Sequence, residues 1–190
     1  YLAMRARLMS DSARWEPLTL QSPMGGEAHA GMPGMAGMAT ASGADSWTWA
    51  VGMSAARRGD LATADAAEKT LTAAREKAAA GGNTYAVKVP TIREKTLAAV
   101  IRWARGQKDA ALQLAREASE TELTTDAPSG PPEPIKPAPE LYGELLLEAG
   151  RAGEAAAAFE SQLLRTPNRT PSVKGLASAR AAARPATSAR

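Results

Sequence analysis

The chain has 190 residues, a formal net charge of +3, no cysteine, one histidine and 4% aromatic residues. That length supports one domain with a real core, and the scarcity of aromatics leaves burial to alanine and leucine, which favours closely stacked helices over a sheet. The missing cysteines exclude disulfides, thiolate metal sites and cysteine nucleophiles, and the alternation of Lys and Arg with Glu and Asp is the pattern of solvated helix faces.

In chain order, residues 1–14 (YLAMRARLMSDSAR) read as a short helix with Leu2, Arg5 and Met9 on related faces, and Trp15 follows the break. The sequence opens without Met inside this helix, so it is expected to be a piece of a longer protein, with 1–20 a remnant of an earlier unit and any targeting region lost; the compartment stays open. Residues 21–45 turn to Gly, Ala, Met, Ser and Pro and read as a flexible linker. Asp45 or Ser46 caps a helix to about Arg58, carrying Trp49, Met53 and Ala56 at helical spacing. Gly59 ends it, and Asp60 caps the next, from about Leu61 to Ala80, with an apolar stripe of Leu61, Ala64, Ala67, Leu71 and Ala74.

Gly81 and Gly82 close that helix. Another is predicted from Asn83 or Thr91 to Arg105, with Pro90 starting or kinking it, and a partner from Lys108 to Thr121 follows the Gly106 corner. Thr124 to Pro139 is a stiff, extended Pro-rich connection, of which Pro128–Pro139 is expected to drape over the groove of a helical stack, with a ligand for a proline-reading domain as the alternative. Pro139 and Glu140 open a helix through Ala149, Gly150 turns it, and Ala152–Arg165 forms its partner, closed by Pro167. A last helix spans about 171–183 and a frayed tail 184–190. No stretch has the apolar length of a membrane span, so a soluble chain is expected.

Three corners share one pattern, in which Gly59, Gly106 and Gly150 each precede a small residue by five positions: Ala64, Ala111 and Ala155. A left-handed glycine followed by a tiny buried residue lets two antiparallel helices touch. The corners recur at roughly 45 residues, a helical-repeat spacing lengthened by long connections. The run Leu141-Tyr142-Gly143-Glu144-Leu145-Leu146-Leu147-Glu148-Ala149-Gly150, followed by Ala155, Phe159 and Pro167, resembles one complete tetratricopeptide repeat. Gly143 falls where that family packs its first helix closely, while Gln162 and Pro139 depart from its pattern. Gly52, Gly59 and Ala64 match a second unit, Ala99, Gly106, Ala111 and Ala118 a third, and Leu176-Ala177 would begin a fourth.

The resemblance covers roughly 46–183, as units 46–80, 83–121 and 139–167 with a capping helix at 171–183. The phrase from Trp47 onward is also similar to the carboxy-terminal portion of multi-repeat bacterial proteins with no assigned activity. The resemblance implies an all-α right-handed solenoid of antiparallel hairpins with a concave groove, and a non-catalytic scaffold that binds another protein or a peptide or helix, without cofactor. Lys95, Arg102, Tyr142, Glu144 and Arg151 are the candidate partner-binding residues.

Other chemistry is poorly served. His29, the single imidazole, is far from any scaffolded serine, and Gly81-Gly82-Asn83 lacks the spacing of a phosphate loop. Glu140, Glu144 and Glu148 fall on one helix face and read as a solvated stripe. The basic run from Arg165 to Arg190 lacks the stacking aromatics of a nucleic-acid footprint, so no nucleic-acid partner is expected. Met24, His29, Met32, Met35 and Met38 offer soft ligands suited to Cu(I), which makes metal handling the alternative function. A further alternative is the accessory helical region of a larger enzyme. Trp47 and Trp49, at i and i+2, cannot share a helix face, so one needs a cover from a partner or from the preceding linker.

Overall fold

The computed structural model describes residues 2–21, 36–128 and 134–184. Among these the backbone forms eight helices and no strand: α1 (Leu2–Ser12), α2 (Ala36–Arg57), α3 (Leu61–Ala80), α4 (Lys88–Ala104), α5 (Lys108–Leu123), α6 (Ala138–Glu148), α7 (Ala152–Arg165) and α8 (Thr170–Ala183). The ends follow local chemistry. The Asp60 side chain accepts the Thr63 N–H at 3.1 Å and caps α3. Pro90, Pro139 and Pro171 lie in the first turns of α4, α6 and α8, where a missing N–H costs nothing.

Two features differ from the sequence reading. The helix expected from Asp45 or Ser46 begins at Ala36, so the segment read as linker is helical over 36–45, while 22–35 lies outside the described residues. Pro33 is the last proline before α2, and the alanines after it offset Gly37 and Gly43, each of which costs about 1 kcal/mol relative to Ala. The end of the Pro-rich connection is also core and not surface: Ile135 and Lys136 are buried, and Ala138 is fully enclosed. Residues 129–133 lie outside the described residues.

The three glycine corners are built alike. Gly59, Gly106 and Gly150 have φ of +82, +75 and +77°. In each, the residue after the glycine donates its N–H to the carbonyl five positions back, at 2.9 Å: Asp60 to Ala55, Gln107 to Arg102 and Arg151 to Leu146. The glycine's own N–H bonds three positions back, to Ala56, Trp103 and Leu147. This double closure satisfies the last carbonyls of α2, α4 and α6 and reverses the chain in the same way each time. Five residues on, Ala64, Ala111 and Ala155 are fully buried, so the incoming helix nests on the outgoing one.

Every helix packs on the next in sequence. Contacts also join α2 to α4, α4 to α6 and α6 to α8, so the even helices gather on one side and the odd helices α3, α5 and α7 stand further apart on the other. Seven residues before each corner the even helix carries a small residue, Gly52, Ala99 or Gly143. A Cβ at Gly52 would come within 2.6 Å of Leu97 and 2.8 Å of Ala67, and one at Gly143 within 2.9 Å of the Phe159 ring. Phe159 is in turn capped by Gly175 of α8, where a Cβ would lie 2.4 Å from the ring. The core joins Met53, Leu71, Leu97, Ile101, Leu141, Leu145, Leu146 and Phe159 in one cluster.

Candidate functional site

The wider spacing of the odd helices leaves two grooves, each floored by an even helix. The first, about 440 Å³, lies between α3 and α5 over α4 and is lined by Glu68, Arg75, Glu94, Lys95, Arg102 and Leu114, with Ala98 on its floor. The second, about 300 Å³, lies between α5 and α7 over α6 and is lined by Arg116, Glu120, Leu123, Glu154 and Ala158, with Tyr142 on its floor. The two are related by the repeat: Ala98 and Tyr142 each precede their corner glycine by eight residues, and Leu114 and Ala158 each follow it by eight.

In the first groove Lys95 Nζ donates to Glu117 at 2.7 Å, Arg102 Nη2 to Glu68 at 3.3 Å, and Arg75 Nε meets Glu94 at 2.5 Å. The bond from Lys95, seconded by Gln113, holds the Glu117 carboxyl below its ordinary range. Among the described residues Arg102 Nη1 has no hydrogen-bond partner and is itself closed to solvent. The second groove is more apolar in its walls, with Leu123 44% exposed. Its rim carries two ion pairs, Arg116 to Glu120 at 2.7 Å and a two-point contact of Arg151 with Glu154 at 2.6 and 2.7 Å.

The five residues chosen from the sequence therefore divide. Lys95 and Arg102 share the first groove, Tyr142 floors the second, and Arg151 holds a carboxylate on its rim. Glu144 faces elsewhere, accepting from Lys136 at 2.7 Å and lying 3.9 Å from Arg57 of α2. Sequence reasoning missed Arg75, Glu94, Leu114 and Leu123. The eight-residue offset from the corners was a signal that could have found Leu114.

The stripe of Glu140, Glu144 and Glu148 is not uniformly solvated. Glu140 is fully buried and accepts from Lys136 at 3.2 Å, from Arg169 at 2.7 and 2.9 Å and from Ser172 at 2.5 Å. Burial opposes its ionisation, but Lys136 and Arg169 outweigh that and hold its carboxyl below the ordinary value. Arg169 also reaches Asp11 of α1 at 2.6 Å. Nearby, Glu122 accepts the Ala138 N–H at 2.7 Å and so caps α6 from α5, while burial pushes its carboxyl up to about 7. The missed element is Lys136, whose burial depends on how the Pro-rich connection folds back. This cluster has donors for its buried acceptors and no opening to solvent at Glu140, so it fastens helices and does not present reactive groups.

The two tryptophans are both covered from within the chain. Trp49 donates to Thr96 of α4 at 3.1 Å in the core. Trp47 turns to the other side of α2, donates to the Thr19 carbonyl at 3.0 Å and lies 5.8 Å beneath the Arg5 guanidinium.

Of the proposed copper ligands, Met24, His29, Met32 and Met35 lie outside the described residues; Met38 falls within α2, its side chain undescribed. Among the described residues no cluster of His, Cys, Asp and Glu is placed to hold a metal ion, and no helix is long and apolar enough to cross a membrane. No protein-family model, curated protein or solved structure matches this chain.

Proposed function

We propose that the chain is a non-catalytic adaptor of the tetratricopeptide type, a right-handed solenoid of helical hairpins that binds a peptide segment of another protein along the grooves between its odd helices. The observation that carries this reading is the repetition of one groove. Equivalent positions, Ala98 with Tyr142 and Leu114 with Ala158, line successive grooves over α4 and α6. An extended ligand meets such a surface at regular intervals, and affinity accumulates along it although each contact is small. The ion pairs on both rims suit a segment carrying charged or polar groups beside apolar residues.

Selection of binding peptides from a random extended-peptide library, followed by titration calorimetry, tests this. Arg102→Glu and Tyr142→Ala are each expected to weaken a selected peptide by about tenfold, a loss of roughly 1.4 kcal/mol, with unchanged helicity. If no peptide is enriched, or if binding ignores both substitutions, the reading is wrong.

A further inference from the structure

The segment 2–21 is held against the even helices as a peptide ligand is held by a receptor. Its first part, α1, turns Ala6 and Met9 into the molecule, fully and almost fully buried, and leaves Met4 and Leu8 exposed. After Ala13, at φ +52°, residues 14–19 have no regular secondary structure. There the chain is fixed by two side-chain donors from one face of α2: the Ser54 hydroxyl donates to the Glu16 carbonyl, and the Trp47 indole N–H donates to the Thr19 carbonyl. Just before each of these carbonyls an apolar side chain, Trp15 and Leu18, three positions apart, packs on the core as an anchor. Asp11 closes the contact at the far end through Arg169, at the start of α8.

Each of these features belongs to recognition of a segment by a preformed surface. The backbone carbonyls are read by side chains of α2 and not by a helical ladder. The apolar anchors are few and spaced, and among the described residues its charged contacts with the helices are Arg5 over the Trp47 ring and Asp11 on a cation already held by Glu140. We infer that the face of α2 carrying Trp47 and Ser54, together with Arg169 at the start of α8, is a docking site for an amphipathic helix followed by an extended stretch, occupied in cis by residues 2–21, which act as a detachable autoinhibitory strap. The ligand chemistry is that of the strap: a small residue and a Met three positions apart on a helix, an acid at its end, then two apolar anchors. This inference goes beyond the adaptor reading, since it uses α2 and the start of α8, which line neither groove.

A labelled synthetic peptide of residues 2–21 is titrated into the full chain and into a full chain carrying Trp15→Ala and Leu18→Ala. Because a site filled in cis binds an added ligand more weakly by the fraction of molecules in which it is open, the doubly substituted chain should bind the peptide at least about tenfold more tightly than the unsubstituted one. Adding Asp11→Arg to the peptide should abolish the gain. In the unsubstituted chain, amide exchange of α1 should run about 100-fold faster than that of α4, the mark of an element that opens without global unfolding. Exchange of α1 as slow as that of α4, unfolding of the doubly substituted chain, or equal or absent peptide binding by the two chains would each overturn the inference. None of these bears on Arg102 or Tyr142, so the adaptor reading survives such a failure.

Discussion

Glu122 sits near the end of α5, where a polar run reads as solvated surface, yet it is 4% exposed because Ala138 and the end of the Pro-rich connection close over it. Burial raises its carboxyl from 4.5 to about 7, against the Ala138 N–H and the nearby Arg165 and Arg169, which favour the charged form. The folded chain thus holds this proton through a window in which the unfolded chain releases it. The penalty is absent below pH 4.5 and complete above pH 7, where it amounts to about 3 kcal/mol. Glu122→Gln keeps an oxygen for the Ala138 N–H and removes the charge. Urea unfolding should show the variant equal to the parent near pH 4.5 and more stable by up to about 3 kcal/mol at pH 8; a gain that does not grow with pH would mean that Glu122 ionises freely. Nothing local in the sequence marks this residue, since its burial is decided by a segment that follows a proline-rich run.

At the scale of the element, the sequence was most legible where local chemistry suffices. The corners at Gly59, Gly106 and Gly150, the cap at Asp60, and the bounds of α3 and α7 follow from glycine, Asp and apolar spacing alone, and the close approach at Gly143 was readable from the repeat. The early start of α2 was obscured because two glycines outweighed the surrounding alanines in the reading. The role of Gly175 was hidden for another reason: it depends on α8 meeting α7 across the Phe159 ring. A Cβ there would lie 2.4 Å from the ring, whereas one at Gly153, also helical, meets nothing within 4 Å. Gly175→Ala should therefore cost about 1–3 kcal/mol through overpacking, and Phe159→Leu in the same chain should recover part of it. Gly153→Ala should be neutral or stabilising by about 0.5 kcal/mol. Denaturant midpoints of the three variants and the parent decide the matter, and equal costs at Gly175 and Gly153 would refute the contact.

For the whole molecule, a stack in which each helix leans mainly on its neighbours should unravel from its ends, as repeat arrays do. Arg169 opposes that. It is half-buried at the start of α8, bonds Glu140 of α6 at 2.7 and 2.9 Å, and reaches Asp11 of α1 at 2.6 Å, so the first and last helices share one cation. Glu140 is fully enclosed and depends on that guanidinium, together with Lys136 and Ser172, for its solvation. Removing the cation leaves a buried carboxylate short of a partner, and the cost of breaking such a pair is about 3–5 kcal/mol. Arg169→Met should therefore destabilise strongly, and hydrogen exchange should show α1 and α8 loosening together while α3 and α4 keep their protection. Arg116→Met, which breaks an exposed pair with Glu120, should leave the denaturation midpoint where it is. Loosening of α8 alone would show that Asp11 contributes nothing to holding α1. Loosening of both joins the strap to the far end of the stack, and a partner that lifts one would then be felt at the other.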